Sequence, residues 1–370
     1  MIRLRCFCLL LATALLIVFS AAAYAQDHAV PFSTDRWAFD PDKGALVEQD
    51  GRQSLRLSTT AATLKDVVFR DGVIEVDVSM PDDDRGFAYI QFRKKDERDS
   101  EIVYLRMHKS GQPDAVQYAP RYNAVTAWQL YHGEGYTAPA TFSKDAWTRF
   151  KIDVRGSVAR VYVGEADEPT MVIPDLKRGG EPGSIGLLAT VADGIHFANF
   201  SYTPAREPTP MTPADPTPSN VLSRWELSKA FADGEIDLGT YPALSGGEAG
   251  WQAVVSEPSG MVNVSRYRSM RGRPTTILAR STIQANADAV RPLHVGYSDD
   301  VVIYLNGTPV YAGISGFRSR NPTYQGFVTA DDVVYLDLKA GDNELLFVIS
   351  EVFGGWGFMA RLEEAVSGTR

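Results

Sequence analysis

Short runs in which apolar and polar residues alternate occupy most of this chain, and they limit its fold more than any other feature. Residues 72–78 and 87–93 are clear examples, because every second side chain in each run is apolar. This period of two is typical of strands that bury one face. Clusters of Gly, Pro and Asp separate the runs, and no helix-period run of ten residues occurs between residues 26 and 220. The pattern predicts an all-β protein.

A proline-rich segment divides the chain in two. Residues 204–219 contain six prolines in 16 positions, a density that excludes a helix or a central strand and favours a semi-extended linker. The predicted fold is therefore two β-sandwich (jelly-roll) domains, residues 27–203 and 220–366, joined by this linker. One helix is expected in the second domain, over residues 224–232 with Ser223 as its N-cap.

The first 25 residues read as a secretory signal peptide. Arg3 and Arg5 precede an apolar run over residues 6–19, and Ala23-Tyr24-Ala25 supplies the small residues of a cleavage site. The run is shorter than the roughly 20 apolar residues that span a bilayer. We therefore expect a secreted protein, periplasmic or extracellular in a bacterium, with no membrane span after cleavage.

Composition restricts the partners and cofactors. The net charge of −9 argues against a nucleic-acid partner. Both cysteines, Cys6 and Cys8, lie in the predicted signal peptide, so the mature chain would have no disulfide. No two of the five histidines have the spacing of zinc ligands, and we expect no cofactor. Calcium is possible at the acidic clusters of residues 82–84 and 96–99, although such clusters are often only solvated loops.

Alternation also assigns side chains to faces. If Ala88, Ile90 and Phe92 face the core, their neighbours on the same strand face the other way. In residues 102–108, Val103, Leu105 and Met107 likewise face the core, and the residues between them face the other way. If these strands are neighbours in one sheet, together with the strand that carries Glu75 and Asp77, they form a polar and aromatic surface suited to sugars. The alternative is an ordinary solvated sheet face. The candidate ligand-binding residues on this surface are Tyr89, Gln91, Arg93, Tyr104, Arg106 and His108.

The segment of residues 112–136 is unusually rich in amphipathic side chains, with four Tyr and one Trp. It is either part of a ligand site or a long hairpin that packs its aromatic rings over the sandwich edge. The ligand candidates in it are Tyr118, Arg121, Asn123, Trp128 and Tyr131.

These motifs resemble the concanavalin A-like lectin/glucanase superfamily, and in particular its laminin-G-like and 3-keto-disaccharide-hydrolase-like domains. The resemblance covers roughly residues 35–203 and is carried by DGVIEVDV at 71–78, GFAYIQFR at 86–93 and DAVQYAPRYNAVTAWQLY at 114–131. It implies a jelly roll of two sheets with carbohydrate bound on the concave face. The expected partner is therefore a carbohydrate or glycan.

The same resemblance supplies a test for catalysis. Retaining glucanases of this superfamily carry Glu-x-Asp-x-Glu on one concave strand, so that two carboxyl groups flank the scissile bond. Glu75 and Asp77 begin the pattern, but Ser79 or Met80 stands where the third acid belongs. We expect a non-catalytic carbohydrate-binding protein. The alternatives are a glycoside hydrolase, of glucanase or 3-keto-disaccharide-hydrolase type, with Glu75 and Asp77 as its catalytic residues, or an interaction module.

The second domain resembles the galactose-binding-like jelly rolls found beside catalytic domains. Residues 300–307, 338–345 and 354–358 carry the resemblance. Several amphipathic residues between its predicted strands are candidates to line a site at the loop edge: Phe317, Arg318, Arg320, Asn321, Tyr324 and Gln325.

Overall fold

The computed structural model describes residues 28–80, 85–143, 146–237, 239–244, 246–272 and 274–363. The predicted signal peptide and the acidic cluster at residues 82–84 lie outside these ranges. Half of the chain forms strands and 3% forms helices, which confirms the all-β fold class. No helix in the described part is long and apolar enough to cross a membrane.

Two compact units divide the chain. The first unit contains the described residues up to Lys94, together with Val103–Val116 and Thr137–Met211. The second unit contains Lys95–Ile102, Gln117–Tyr136 and the described residues from Thr212 onward. Most of the aromatic segment 112–136 therefore belongs to the second unit.

The N-terminal part of the chain, as far as residue 204, is a succession of strands. A short 3-10 helix, Met107–Lys109, follows the seventh of them. The strands are β1 (Trp37–Phe39), β2 (Gly44–Gln49), β3 (Arg52–Leu57), β4 (Ala61–Leu64), β5 (Gly72–Ser79), β6 (Phe87–Asp96), β7 (Asp99–Arg106), β8 (Val116–Tyr122), β9 (Val125–Thr126), β10 (Thr137–Ala138), β11 (Thr148–Arg155), β12 (Val158–Val163), β13 (Met171–Ile173), β14 (Ser184–Ala189) and β15 (Ile195–Pro204).

These strands form two sheets. The β6 sheet has the order β1-β4-β14-β6-β7-β8-β10, with β9 paired to β8, and the β5 sheet has the order β13-β12-β11-β5-β15-β3-β2. Ile74, Val76 and Val78 on β5 are fully buried, as are Ala88 and Ile90 on β6. The inward faces predicted from alternation are therefore confirmed for both strands.

The proline-rich segment is extended, and its first half packs on the first unit. The backbone N–H of Ala205 donates to the carbonyl of Asp71, and the N–H of Thr209 donates to its carboxylate, both at 2.8 Å. Residues 212–219 are all exposed and form no regular structure.

The C-terminal part of the chain is also built from strands. A one-turn helix, α1 (Gly246–Ala249), lies between the second and third of them, and a 3-10 helix covers Val264–Arg266. The strands are β16 (Arg224–Leu227), β17 (Phe231–Ala232), β18 (Gln252–Val255), β19 (Val262–Asn263), β20 (Pro274–Ala285), β21 (Ala289–Ser298), β22 (Asp300–Leu305), β23 (Thr308–Ile314), β24 (Asp332–Leu338), β25 (Gly341–Ser350) and β26 (Gly357–Leu362).

Two sheets also form the second sandwich. One has the order β18-β16-β20-β25-β22-β23 with β17 paired to β20, and the other has the order β19-β26-β21-β24. An apolar core joins them and includes Trp225, Phe347 and Trp356. The helix predicted over residues 224–232 is wrong, because β16 and β17 occupy this range. Trp225 and Leu227 alternate with more exposed neighbours and bury their side chains as strand residues do.

Candidate functional site

Aromatic side chains gather on the first unit where β6 and β7 lie side by side. Because Ala88 and Ile90 point into the core, Phe87 and Tyr89 project from the opposite face of β6. The ring centroids of Tyr89 and Tyr104 are 4.9 Å apart, and those of Phe87 and Tyr104 are 5.9 Å apart. Such pairs contribute about 0.5–1.5 kcal/mol each beyond burial. We call this surface, with Arg106 and His108, the aromatic face.

Arg106 is the polar centre of the aromatic face. One guanidinium nitrogen donates to the backbone carbonyl and to the carboxylate of Asp114, both at 2.9 Å. Another nitrogen donates to the hydroxyl of Tyr104 at 3.0 Å, and the guanidinium carbon lies 5.1 Å from the Tyr104 ring centroid. Arg106 is therefore fixed against the aromatic rings, and it shares the Asp114 carboxylate with the ammonium group of Lys109. Burial raises the pKa of Tyr104 far above its ordinary value, although Arg106 opposes the shift.

The aromatic face has an accessible side. Phe87 and Tyr89 are half-buried and His108 is exposed, whereas Tyr104 and Arg106 are nearly covered. The His108 ring meets the Phe87 ring edge-on at 5.4 Å. Partial burial, and then the charges of Lys109 and Arg106, lower the pKa of His108, so its imidazole is neutral at neutral pH. A ligand would meet Phe87, Tyr89 and a neutral His108 first.

Further along β6, Gln91 and Arg93 are buried. The Arg93 guanidinium donates to the Asp71 carboxylate at 2.9 Å and to the carbonyls of Arg70, Gly156 and Gly179 at 2.6–2.8 Å. These bonds tie three loops to the strand. The structure thus places Arg93 in a buried structural network and does not bring it to the accessible side of the aromatic face.

Glu75 and Asp77 lie in the other sheet. Their strand is not a neighbour of β6, because β5 pairs with β11 and β15, so the condition for one shared surface is not met for these two residues. Glu75 forms an ion pair with Arg149. Asp77 forms an ion pair with Arg52 and accepts a hydrogen bond from Asn199 at 2.8 Å. Both carboxylates are engaged on a sheet that does not carry the aromatic face.

The candidates in segment 117–136 belong to the second unit, and most are packed. Tyr118 is fully buried and donates to Glu101 at 2.7 Å, while Tyr131 donates to Glu257 at 2.5 Å. Burial, and then the charge of Glu257, raise the pKa of Tyr131. Asn123 donates to the carbonyl of Ser265 at 2.8 Å. Arg121 is half-buried in the same segment.

Trp128 is a partly accessible aromatic residue of this segment. It is half-buried, and its ring lies 5.9–6.0 Å from the rings of Phe317, Phe327 and Phe353. Phe353 is 57% exposed. The His132 ring stacks on Phe327 with centroids 4.3 Å apart. Trp128 and these rings form a partly exposed cluster on the second unit.

Phe87 on the aromatic face and Asp114, which holds Arg106, are not among the residues that the sequence predicted. Phe87 begins the alternation of β6 with Tyr89 and could have been found from it. Asp114 follows β7 by eight residues, and no pattern signals that it turns back onto Arg106. Among the residues that the structure describes, no three His, Cys, Asp or Glu side chains are grouped to hold a metal ion. In the predicted cluster 96–99, Asp96 accepts from the N–H of Arg98 at 2.8 Å.

No protein-family model matches the chain, and no curated protein matches it. Solved structures similar to it include the following three. The carbohydrate-binding module CBM66 from Bacillus subtilis has 16% identity over 46% of this chain and 99% of that chain, with a TM-score of 0.35. A Bacillus licheniformis beta-glucanase has 12% identity, covers 48% and 99%, and has a TM-score of 0.36. A glycoside hydrolase family 16 endo-glucanase from Bacteroides ovatus has 11% identity, covers 46% and 96%, and has a TM-score of 0.35. Similarity at such identities concerns the backbone alone.

Proposed function

We propose that this protein binds carbohydrate on the aromatic face of its first unit. The observation that carries the proposal is the joint placement of Phe87, Tyr89 and His108 around the fixed Arg106–Asp114 pair. Aromatic rings pack against the C–H faces of a sugar ring, and the phenol of Tyr89 and the imidazole of His108 can hydrogen-bond its hydroxyl groups. Because Arg106 and Asp114 hold the ring of Tyr104, and Tyr89 packs against that ring, little conformational entropy is lost when a ligand contacts Tyr89.

We propose binding without hydrolysis. A retaining glycosidase needs two carboxyl groups about 5–5.5 Å apart around the scissile bond. Glu75 and Asp77 are on the sheet that lacks the aromatic face, and arginines occupy both carboxylates. A sugar stacked on Tyr89 would therefore not be cleaved by these two acids.

We also propose that the protein is exported and acts in the periplasm or outside the cell. The support is the arrangement of Arg3, Arg5, the apolar run and Ala23–Ala25 in the sequence. N-terminal sequencing of protein recovered from the periplasm or the medium should begin at or near Gln26. Recovery of a membrane-bound form that retains Arg3 would contradict export by cleavage.

A glycan array tests the binding proposal. The full chain, the Tyr89→Ala variant and a control Tyr335→Ala variant are applied to the same array. Tyr335 is a suitable control because it is 69% exposed and lies on β24 of the second unit. We expect the signals of the wild type to be lost in Tyr89→Ala and kept in Tyr335→Ala. If no glycan binds, or if both variants lose the same signals, the proposal is wrong.

Turnover is assayed on the glycans that bind. We expect no release of reducing ends from them. Cleavage by the wild type that disappears in Glu75→Gln would replace the binding proposal with the hydrolase alternative.

A further inference from the structure

A pocket of about 390 Å³ opens on the second unit. It lies under the connection between β23 and β24, and Gly296 and Tyr297 of β21 contribute to its lining. Its volume is within the range of small-molecule sites. None of its lining residues belongs to the first unit, so it is distinct from the aromatic face. The lining residues that matter for recognition are Arg320, Asn321, Tyr324, Phe327, Asp331 and Asp332.

Asp332 is the fixed acceptor of this pocket. One carboxylate oxygen accepts from the hydroxyls of Tyr297 and Tyr311 at 2.7 and 2.8 Å, and from the guanidinium of Arg320 at 3.0 Å. Although partial burial opposes it, these hydrogen bonds hold the pKa of Asp332 below its ordinary value. The carboxylate is therefore charged and oriented before any ligand arrives.

The walls of the pocket are also preset. The Arg320 guanidinium carbon lies 5.0 Å from the ring centroid of Tyr324, and its Nε donates to the carbonyl of Ile314 at 2.9 Å. The Tyr324 hydroxyl is 2.7 Å from the Ser315 hydroxyl. Phe327 is supported by the ring of His132 stacked on it. Two rings and a guanidinium are thus held around the opening.

The polar loop that covers the pocket is ordered by its own side chains. The Asn321 side-chain oxygen accepts from the N–H and the hydroxyl of Thr323, at 3.0 and 2.8 Å. The Gln325 side-chain nitrogen donates to the Thr323 carbonyl at 2.9 Å. This arrangement turns the amide of Asn321 to a defined position at the rim.

The charges decide what class of ligand fits. Arg320 carries one positive charge, and Asp331 and Asp332 carry two negative charges, so the pocket repels an anion. A hydroxyl group both donates and accepts, and it can therefore use the carboxylates and the guanidinium together. We propose that this pocket is a second binding site, independent of the aromatic face, for a neutral polyhydroxylated ligand such as a hexose residue.

Saturation-transfer NMR with glucose, galactose and mannose tests this proposal on the full chain. Arg320→Ala removes a wall of the pocket, and Arg318→Ala is the matched control, because Arg318 is an exposed arginine of the same loop that does not line the pocket. We expect at least one hexose to bind, with at least tenfold weaker affinity in Arg320→Ala and unchanged affinity in Arg318→Ala.

Two further variants make the result decisive. Tyr89→Ala removes the proposed site of the first unit, so hexose binding that persists in it belongs to the second unit even if the function proposed above fails. Asn321→Ala should also weaken hexose binding. If circular dichroism shows that Arg320→Ala does not fold, the affinity of Asn321→Ala replaces it as the test of the pocket. The proposal is overturned if no hexose binds to Tyr89→Ala, if Arg318→Ala and Arg320→Ala weaken binding equally, or if glucuronate binds more tightly than glucose.

Discussion

Loss of Arg93 should strongly destabilise the first unit. Its guanidinium and the Asp71 carboxylate are each about 1% exposed, and they form an ion pair at 2.9 Å. Without Arg93, the buried Asp71 carboxylate keeps only the N–H groups of Gly156 and Thr209 and the more distant Arg70, 3.9 Å away. Loss of one partner of a buried ion pair typically costs about 3–5 kcal/mol. We expect Arg93→Met to lower the free energy of unfolding by about this amount, measured by urea denaturation with near-ultraviolet circular dichroism.

Arg160→Met is the control for this substitution, since Arg160 is an exposed arginine on β12 of the same unit. It should change the stability by less than about 0.5 kcal/mol. Equal effects of the two variants would show that the buried network does not stabilise the unit.

Glu351 should make the second unit less stable as the pH rises. Burial, and then the charge of Asp299, raise the pKa of Glu351 to about 8 from an ordinary value of 4.5. Asp299 is the member of the pair that stays charged, because it accepts from the N–H groups of Val352 and Phe353 at 2.7 and 2.9 Å. The folded state therefore keeps a proton on Glu351 that the unfolded state loses. The contribution of this proton to the free energy of unfolding is complete below about pH 4.5 and decreases as the pH rises to about 8.

Glu351→Gln tests this dependence, because glutamine mimics the protonated acid at every pH. Urea midpoints measured at about pH 5 and pH 8.5 should fall with pH in the wild type and fall less in Glu351→Gln. The same fall in both proteins would mean that Glu351 does not hold the extra proton.

At the level of single residues, alternation predicted the buried side chains of β5 and β6 but not the environment of the outward ones. Tyr89 lies on the accessible side of the aromatic face, whereas Arg93, four residues along the same strand, is covered by loops. The difference depends on Asp71, Gly156 and Gly179, which are distant in the sequence. A local pattern carries no information about such distant partners.

Strand β23 requires glycine at position 313, because two tyrosine side chains pack closely against its backbone there. A Cβ atom on Gly313 would clash with the hydroxyl oxygens of Tyr297 and Tyr311, which both bind Asp332. Tyr297 is 1% exposed and cannot move away freely. We expect Gly313→Ala to destabilise the protein by about 1–3 kcal/mol through overpacking, as measured by urea denaturation.

Gly247→Ala in α1 is the control, because no heavy atom lies within 4 Å of the added Cβ. Alanine is also the better helix former, so this variant should be neutral or slightly more stable. A neutral Gly313→Ala would show that the tyrosine pair tolerates displacement.

The element assignments show where sequence reasoning succeeds and fails. Asn306-Gly307 joins β22 and β23 as a hairpin, and this dipeptide is a local signature that sequence alone can recognise. The short segment 224–232 was misassigned because its capping signals resemble those of a helix, while its pairing with β18 and β20 is decided by distant strands. The order of strands in the sheets, which separates β5 from β6, has no local signature either.

For the whole molecule, the proline-rich segment governs how the chain can be cut. Residues 212–219 are exposed and irregular, whereas residues 205–211 pack on the first unit. We expect limited proteolysis with proteinase K to cut first within residues 212–219, as read from fragment masses. Earlier cuts inside either strand-rich part would contradict the predicted boundaries, 27–203 and 220–366.

The two fragments should stay together after this cut. Residues 95–102 and 117–136 lie N-terminal to the cut but belong to the second unit, where Tyr131 binds Glu257 and Asn123 binds Ser265. We expect the cut protein to elute as one species in size-exclusion chromatography and to separate only in denaturant. Separate elution without denaturant would show that these contacts do not hold the second unit together. The sequence could not predict this arrangement, since the partners are more than 100 residues apart.

The central claim is that the aromatic face binds carbohydrate, and isothermal titration calorimetry of the best array ligand tests it most directly. Tyr89→Ala should bind at least tenfold more weakly than the wild type, which corresponds to about 1.4 kcal/mol. A cooperative urea transition, with a midpoint lowered only by loss of the contact between Tyr89 and Tyr104, should show that the variant is folded. Tyr335→Ala should bind as the wild type does. Wild-type affinity in Tyr89→Ala would contradict the claim.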